Sequence, residues 1–125
     1  MKYLILIHQN RAARAEWATM PAEVQAAGTQ SYFALNDELA ASGEFVSAHG
    51  LADDSTSTVV SARSGSPVST DGPFAEAKEM LAGYYLVDVA SKERAVEIAL
   101  RIPGVREGAS DVEIRPVMDY STLDA

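Results

Sequence analysis

Gly83-Tyr84-Tyr85-Leu86-Val87-Asp88-Val89, the run from Ser91 to Arg101, and Val112-Glu113-Ile114-Arg115-Pro116-Val117 together decide the fold. The first segment is a strand with apolar residues on both sides, so both of its faces call for cover. Ser91 is a good helix cap, and Ala95, Ile98, Ala99 and Ile102 form one buried stripe behind it. Glu97 and Arg101 stand at i, i+4, where they can pair, and Pro103-Gly104 ends the helix. The third segment is the closing strand. The chain therefore ends in a strand–helix–strand unit.

The same order opens the chain. Lys2-Tyr3-Leu4-Ile5-Leu6-Ile7 is a continuous strand, and Asn10 to Met20 reads as a loop with a short helix containing Trp17. A helix follows from Pro21, with Thr19 or Met20 at its cap and Glu23 at the positive end of its dipole. Val24, Gly28, Tyr32, Leu35 and Leu39 share one helical face, and Gly43 is its terminator. Glu44 to His49 is the next strand. A polar loop, Asp53 to Ser57, then leads to Thr58–Arg63 and Pro67–Thr70, joined by Ser64-Gly65-Ser66 as a hairpin. Asp71-Gly72-Pro73-Phe74 is a turn signal, and Ala75 to Glu79 is a short polar connection.

Two strand–helix–strand halves around one antiparallel sheet make the ferredoxin-like α+β plan, with two helices on one face and an inserted β-hairpin. Residues 1–118 form a single domain and 119–125 a loosely held tail. The helices cover only one face, whereas the strands at Tyr3 and Tyr84 are apolar at successive positions. In a 125-residue chain the expected cover for the second face is another copy, a homodimer with its sheets face to face.

Composition narrows the partners. The 125 residues carry 18 acids against 10 lysines and arginines, a net charge of −8. Between Ala15 and Ala62 there are seven acids and no lysine or arginine, so that stretch holds −7 of the total. Such a surface repels phosphate backbones and anionic lipid, which argues against direct nucleic-acid or membrane binding. No apolar run reaches the ~18 residues of a membrane helix, and no signal peptide is evident. Without cysteine there are no disulfides, thiolate metal sites or cysteine nucleophiles, and the expected location is cytoplasmic. No glycine-rich phosphate loop, nucleophile elbow or dinucleotide fingerprint is present, so no cofactor is expected.

Thr70-Asp71-Gly72-Pro73-Phe74-Ala75-Glu76-Ala77-Lys78-Glu79, followed by Gly83-Tyr84-Tyr85-Leu86-Val87-Asp88, resembles the signature of the YCII-related proteins, in their DGPF branch. The opening Met1 to Ile7, Gly50-Leu51, Arg101-Ile102-Pro103 and Ile114-Arg115-Pro116-Val117 fit as well, so the resemblance covers nearly the whole chain. It implies a ferredoxin-like dimer of the α/β-barrel type. It also implies small enzymes with a His–Asp pair in a cleft, and genetic linkage with sigma factors of the extracytoplasmic-function type. Relatives commonly carry a histidine on the first helix. None stands between Thr29 and Asn36, so His–Asp chemistry falls here to His8 or His49.

The candidate site residues each carry two readings. Asp71 is a general base or histidine orienter, or else a turn residue bonding the backbone near Gly72. Gly72, Pro73 and Phe74 read as hinge, fixed φ and aromatic anchor of a ligand-binding loop. Lys78 beside Glu76 can hold an anion, or can form a solvated ion-pair patch with Glu76 and Glu79. His49, at a strand end, is a proton shuttle or a hydrogen-bonded structural histidine. Tyr84 and Tyr85 point to opposite faces, one beneath the helices and the other available to a cleft. Arg115 is an anion clamp or a strand-face ion pair. Two histidines far apart show no metal-ligand spacing, so no metal site is expected. The expectation is a catalytic Asp71–His49 pair sharing one cleft, with Asp71 partly buried. Whether the chain is an enzyme stays open against a non-catalytic accessory or regulatory module of a sigma-factor pathway.

Overall fold

A computed structural model of the chain describes residues 1–62, 65–71 and 78–121. Strand β1 (Lys2–Asn10) runs into helix α1 (Arg11–Ala18) and then α2 (Ala22–Ala41). Strand β2 (Phe45–Gly50), a 3-10 turn (Asp54–Thr56), β3 (Thr58–Ser61) and β4 (Val68–Asp71) follow. Strand β5 (Glu79–Asp88), α3 (Lys92–Leu100), α4 (Pro103–Arg106) and β6 (Ser110–Pro116) complete the chain. The main sheet has the order β2-β5-β1-β6 with every neighbour antiparallel, while β3 and β4 pair only with each other. This is the ferredoxin-like α+β arrangement with a separate two-stranded ribbon.

The helix-facing side of the sheet forms the core. Tyr3, Ile5 and Ile7 of β1 alternate inward with Tyr85 and Val87 of β5, and meet Leu35 and Leu39 of α2 and Ala95, Ile98 and Ala99 of α3. Ile5, Val87, Ile98 and Ile102 have no solvent exposure, which is worth about 1.5–3 kcal/mol for each such side chain. Ser91 caps α3 by accepting the Arg94 N–H, and Gly43 ends the α2 region at φ 79°, a conformation open to glycine.

Four expectations need correction. Helix α4 joins the helices foreseen, whereas α1 is the expected short helix containing Trp17. Strand β5 begins at Glu79 rather than Gly83, because Met80 turns inward and is buried. Arg101 bonds Glu38 of α2, not Glu97; Glu97 pairs instead with Arg94, 3.0 Å away. Val24 opens the α2 stripe but is exposed, since α2 packs on the sheet through its second half. Arg115 pairs with Glu113 on its own strand.

Candidate functional site: a cleft between two helices and the sheet

Helix α1 has no buried residue, so polar anchors hold it. Asn10 caps it by accepting the Ala13 N–H at 3.1 Å, and the Arg11 backbone N–H donates to the Lys78 carbonyl at 2.8 Å. The Arg11 guanidinium forks onto both oxygens of Asp54, holding that carboxyl below the usual range. Arg14 donates to Gln9 Oε1 (2.9 Å) and to the Leu51 carbonyl (3.3 Å), and its Nε lies 3.3 Å from Asp53. These contacts tie α1 to the loop that follows β2. At its far end Trp17 lies over Gly28 of α2; a Cβ there would come within 2.7 Å of Trp17 Cη2. Glycine is what lets indole and helix approach this closely.

The two helices and the sheet enclose a cleft of about 1080 Å³. Its rim carries Trp17 and Phe33, 37% and 53% exposed. Its inner end is polar. Tyr85 donates its hydroxyl to Asn36 Oδ1 at 2.5 Å, and the Tyr32 hydroxyl accepts the Gly104 N–H at 3.3 Å. Ser110, buried, comes close to the same place: a methyl on Gly104 would stand 2.7 Å from Ser110 Oγ and 3.1 Å from the Tyr32 hydroxyl. Burial raises the Tyr85 pKa to about 12, with Tyr32 nearby adding to it. Burial also raises Tyr32, against the Gly104 bond, which lowers it. Both phenols are therefore protonated at neutral pH and act as hydrogen-bonding hydroxyls rather than bases. A smaller hollow of about 460 Å³ lies beyond the Arg11–Asp54 pair, against Glu79 to Leu81.

The structure brings His49 and Tyr84 together. They are register partners on β2 and β5, with ring centroids 5.7 Å apart, and both contribute to the cleft lining. Tyr84 alternates with the buried Tyr85, which puts its ring on the sheet face away from the helices. Asp71 does not line this cleft. It ends β4 on the ribbon, exposed, and accepts the Thr58 hydroxyl at 2.9 Å. The expected partial burial is not met, because among the described residues the ribbon pairs with no other strand and Val59, Val60 and Val68 on it are exposed too. Lys78 is exposed, and its carbonyl anchors α1. Gly72, Pro73, Phe74 and Glu76 lie outside the described residues. His8, half-buried, stands opposite Leu81 and Asp111. Among the described residues no three or more His, Asp or Glu are placed to hold a metal ion, and no helix is long and apolar enough to cross a membrane.

Sequence reasoning missed Asn36, Ser110, Gly104 and Gln9. One signal was available: Gly28, Tyr32 and Asn36 follow at i, i+4, i+8. A glycine, a phenol and an amide in one helical row make a lining rather than a packing stripe.

The fold and this cleft define a small ferredoxin-like α+β protein with an aromatic-rimmed, polar-ended cleft. The family model of the YCII-related domain matches residues 1–120, and the chain belongs to that family. It is also similar to an uncharacterized protein, R00369, of Rhizobium meliloti (strain 1021), at 39% identity over 56 residues. That match spans 45% of this chain and 45% of the relative's length.

Proposed function

We propose that this YCII-related protein is a homodimer of the DGPF branch that binds a small organic molecule in the helix-side cleft and performs cofactor-free acid–base chemistry. The observation that carries the reading is the cleft itself: exposed Trp17 and Phe33 at the rim, paired hydroxyl and amide groups at the inner end. Ligand sites combine apolar walls with a few placed polar groups in this way. His49 is the proposed proton carrier, its ring against Tyr84 on the sheet face away from the helices, on strands that border the cleft. Asp71, on the ribbon, is the proposed carboxylate partner contributed when two chains assemble. Gly72, Pro73, Phe74, Glu76 and Lys78 are the proposed further ligand-binding residues. Support for the dimer comes from the face of the sheet away from the helices, where Leu4, Leu6 and Leu86 are only half-buried in one chain.

A fragment screen read by amide NMR tests this. Binders should shift the Trp17 indole, Gly28 and Gly104 resonances. Binders that shift only the ribbon and Lys78 would move the site away from the cleft. One observation favours a second reading, a non-catalytic module of a sigma-factor pathway: the contact the structure gives the His49 ring is an aromatic one, Tyr84.

A further inference from the structure

Two amides in the cleft have their oxygens already engaged. Arginine has donors and no acceptor, so Arg14 must meet the oxygen of Gln9, and the Tyr85 hydroxyl takes the oxygen of Asn36. The N–H groups of both amides have no protein acceptor among the described residues. The same holds for the Tyr32 O–H, whose oxygen is occupied by the Gly104 N–H. The inner end therefore offers N–H and O–H donors to a ligand, while its amide and phenol oxygens each already accept one protein hydrogen bond. Charge sharpens the choice. Among the charged residues of the lining, Arg14 is paired with Asp53, and Glu16 and Glu107 add two negative charges. A carboxylate ligand would meet donors but also net negative potential, and an ammonium ligand, drawn to Glu16 and Glu107, has no acceptor to offer and would leave the inner-end N–H and O–H donors unpaired.

We propose that the cleft selects neutral planar molecules carrying a carbonyl oxygen, with that oxygen gripped by the Tyr32 hydroxyl and the Asn36 amide and the ring lodged between Trp17 and Phe33. Tyr32 and Asn36 are one turn apart on α2, which places both donors along one helical row. The inference rests on the proposed ligand cleft and deepens it by naming the ligand class.

Benzamide, benzoate and benzylamine share one ring and differ in charge and hydrogen-bonding group. Each is titrated into the intact protein, with Trp17 fluorescence and the Trp17 and Gly104 NMR resonances as readouts; Trp17 is the single tryptophan. Benzamide should bind at least tenfold more tightly than either charged analogue. Tyr32→Phe should weaken benzamide about fivefold or more. Gln9→Glu keeps the bond to Arg14 but replaces a donor by a negative charge, and should weaken it as well. Benzoate or benzylamine binding as tightly as benzamide, or a Tyr32→Phe protein that binds benzamide unchanged, would overturn the ligand class while leaving the cleft as a site. No response of the cleft resonances to any of the three would overturn the cleft reading and this inference with it.

Discussion

Replacing Gly83 with alanine puts a methyl where the structure has no room for one. The Cβ would stand 2.8 Å from the His49 carbonyl oxygen and 3.3 Å from Gly50 Cα, both backbone atoms of the neighbouring strand β2. The first contact is about 0.6 Å inside ordinary van der Waals distance, and a paired strand cannot swing aside as a flexible side chain can. The end of β2 must open, straining the bond from the Leu51 N–H to the Ala82 carbonyl, now 2.8 Å, and loosening the carbonyl that holds Arg14. Overpacking of this kind costs about 1–3 kcal/mol, and the stiffer unfolded chain returns about 0.5 kcal/mol. The expected net loss is about 1–2 kcal/mol, a Tm drop of about 3–8 °C at this chain length. Gly50 is the direct register partner of Gly83, yet a Cβ on Gly50 meets nothing within 4 Å. Gly50→Ala should therefore fall within about 0.5 kcal/mol of the parent. Urea and thermal unfolding followed by circular dichroism measure both. Equal stability of the two variants, or a Gly83→Ala protein as stable as the parent, would refute the close approach of the two strands.

Glu44 is held below its ordinary pKa, first by the two N–H groups of Arg94, each 2.9 Å away, and then by Ser42. A lowered folded-state value stabilises above the ordinary carboxylate pKa and is lost as pH falls through the folded one. Glu44→Gln should thus cost about 1 kcal/mol at pH 7, with the gap to the parent closing in acid; a gap constant with pH in urea titrations would contradict the pairing. Leu6→Glu, on the open face of β1, should convert the proposed dimer to a monomer in sedimentation, and an unchanged sedimentation coefficient, or a parent that is already monomeric at micromolar concentration, would remove the face-to-face assembly. A chain ending at Asp119 should melt within about 2 °C of the full one, since Tyr120 is exposed; unfolding on truncation would make Tyr120 or Leu123 an anchor.

The fold was legible because its signals are local and redundant. A β-branched strand at Tyr3–Ile7, a capped helix from Ser91 and an apolar strand after Gly83 each specify one element, and their order admits few sheets. Errors came where tertiary contact outweighed the pattern. Helix α1, expected as a short helix containing Trp17, buries nothing, so no apolar periodicity fixes its bounds; these come from capping by Asn10 and the arginine anchors to residues distant in sequence. Arg101 had an acceptable partner one turn back, and a carboxylate on another helix took it instead.

The site was illegible for a different reason. Sequence scanning finds groups that look reactive, namely Asp71, His49 and Lys78, and passes over groups that become distinctive only through what they touch. Asp71 has the chemistry of a base but sits on an exposed ribbon, bonded to a threonine hydroxyl. Asn36 and Tyr32 look ordinary until Tyr85 and Gly104 occupy their acceptors and leave their donors facing no protein partner among the described residues. Specificity then depends on donors held ready in a partly dry space, because a ligand that cannot accept from them leaves them unpaired at about 1–3 kcal/mol each. That cost is what should separate benzamide from benzylamine. It also makes Tyr32→Phe the sharper probe of this cleft than any change at Asp71: it deletes one oxygen and leaves the aromatic ring, the helix and the net charge as they were.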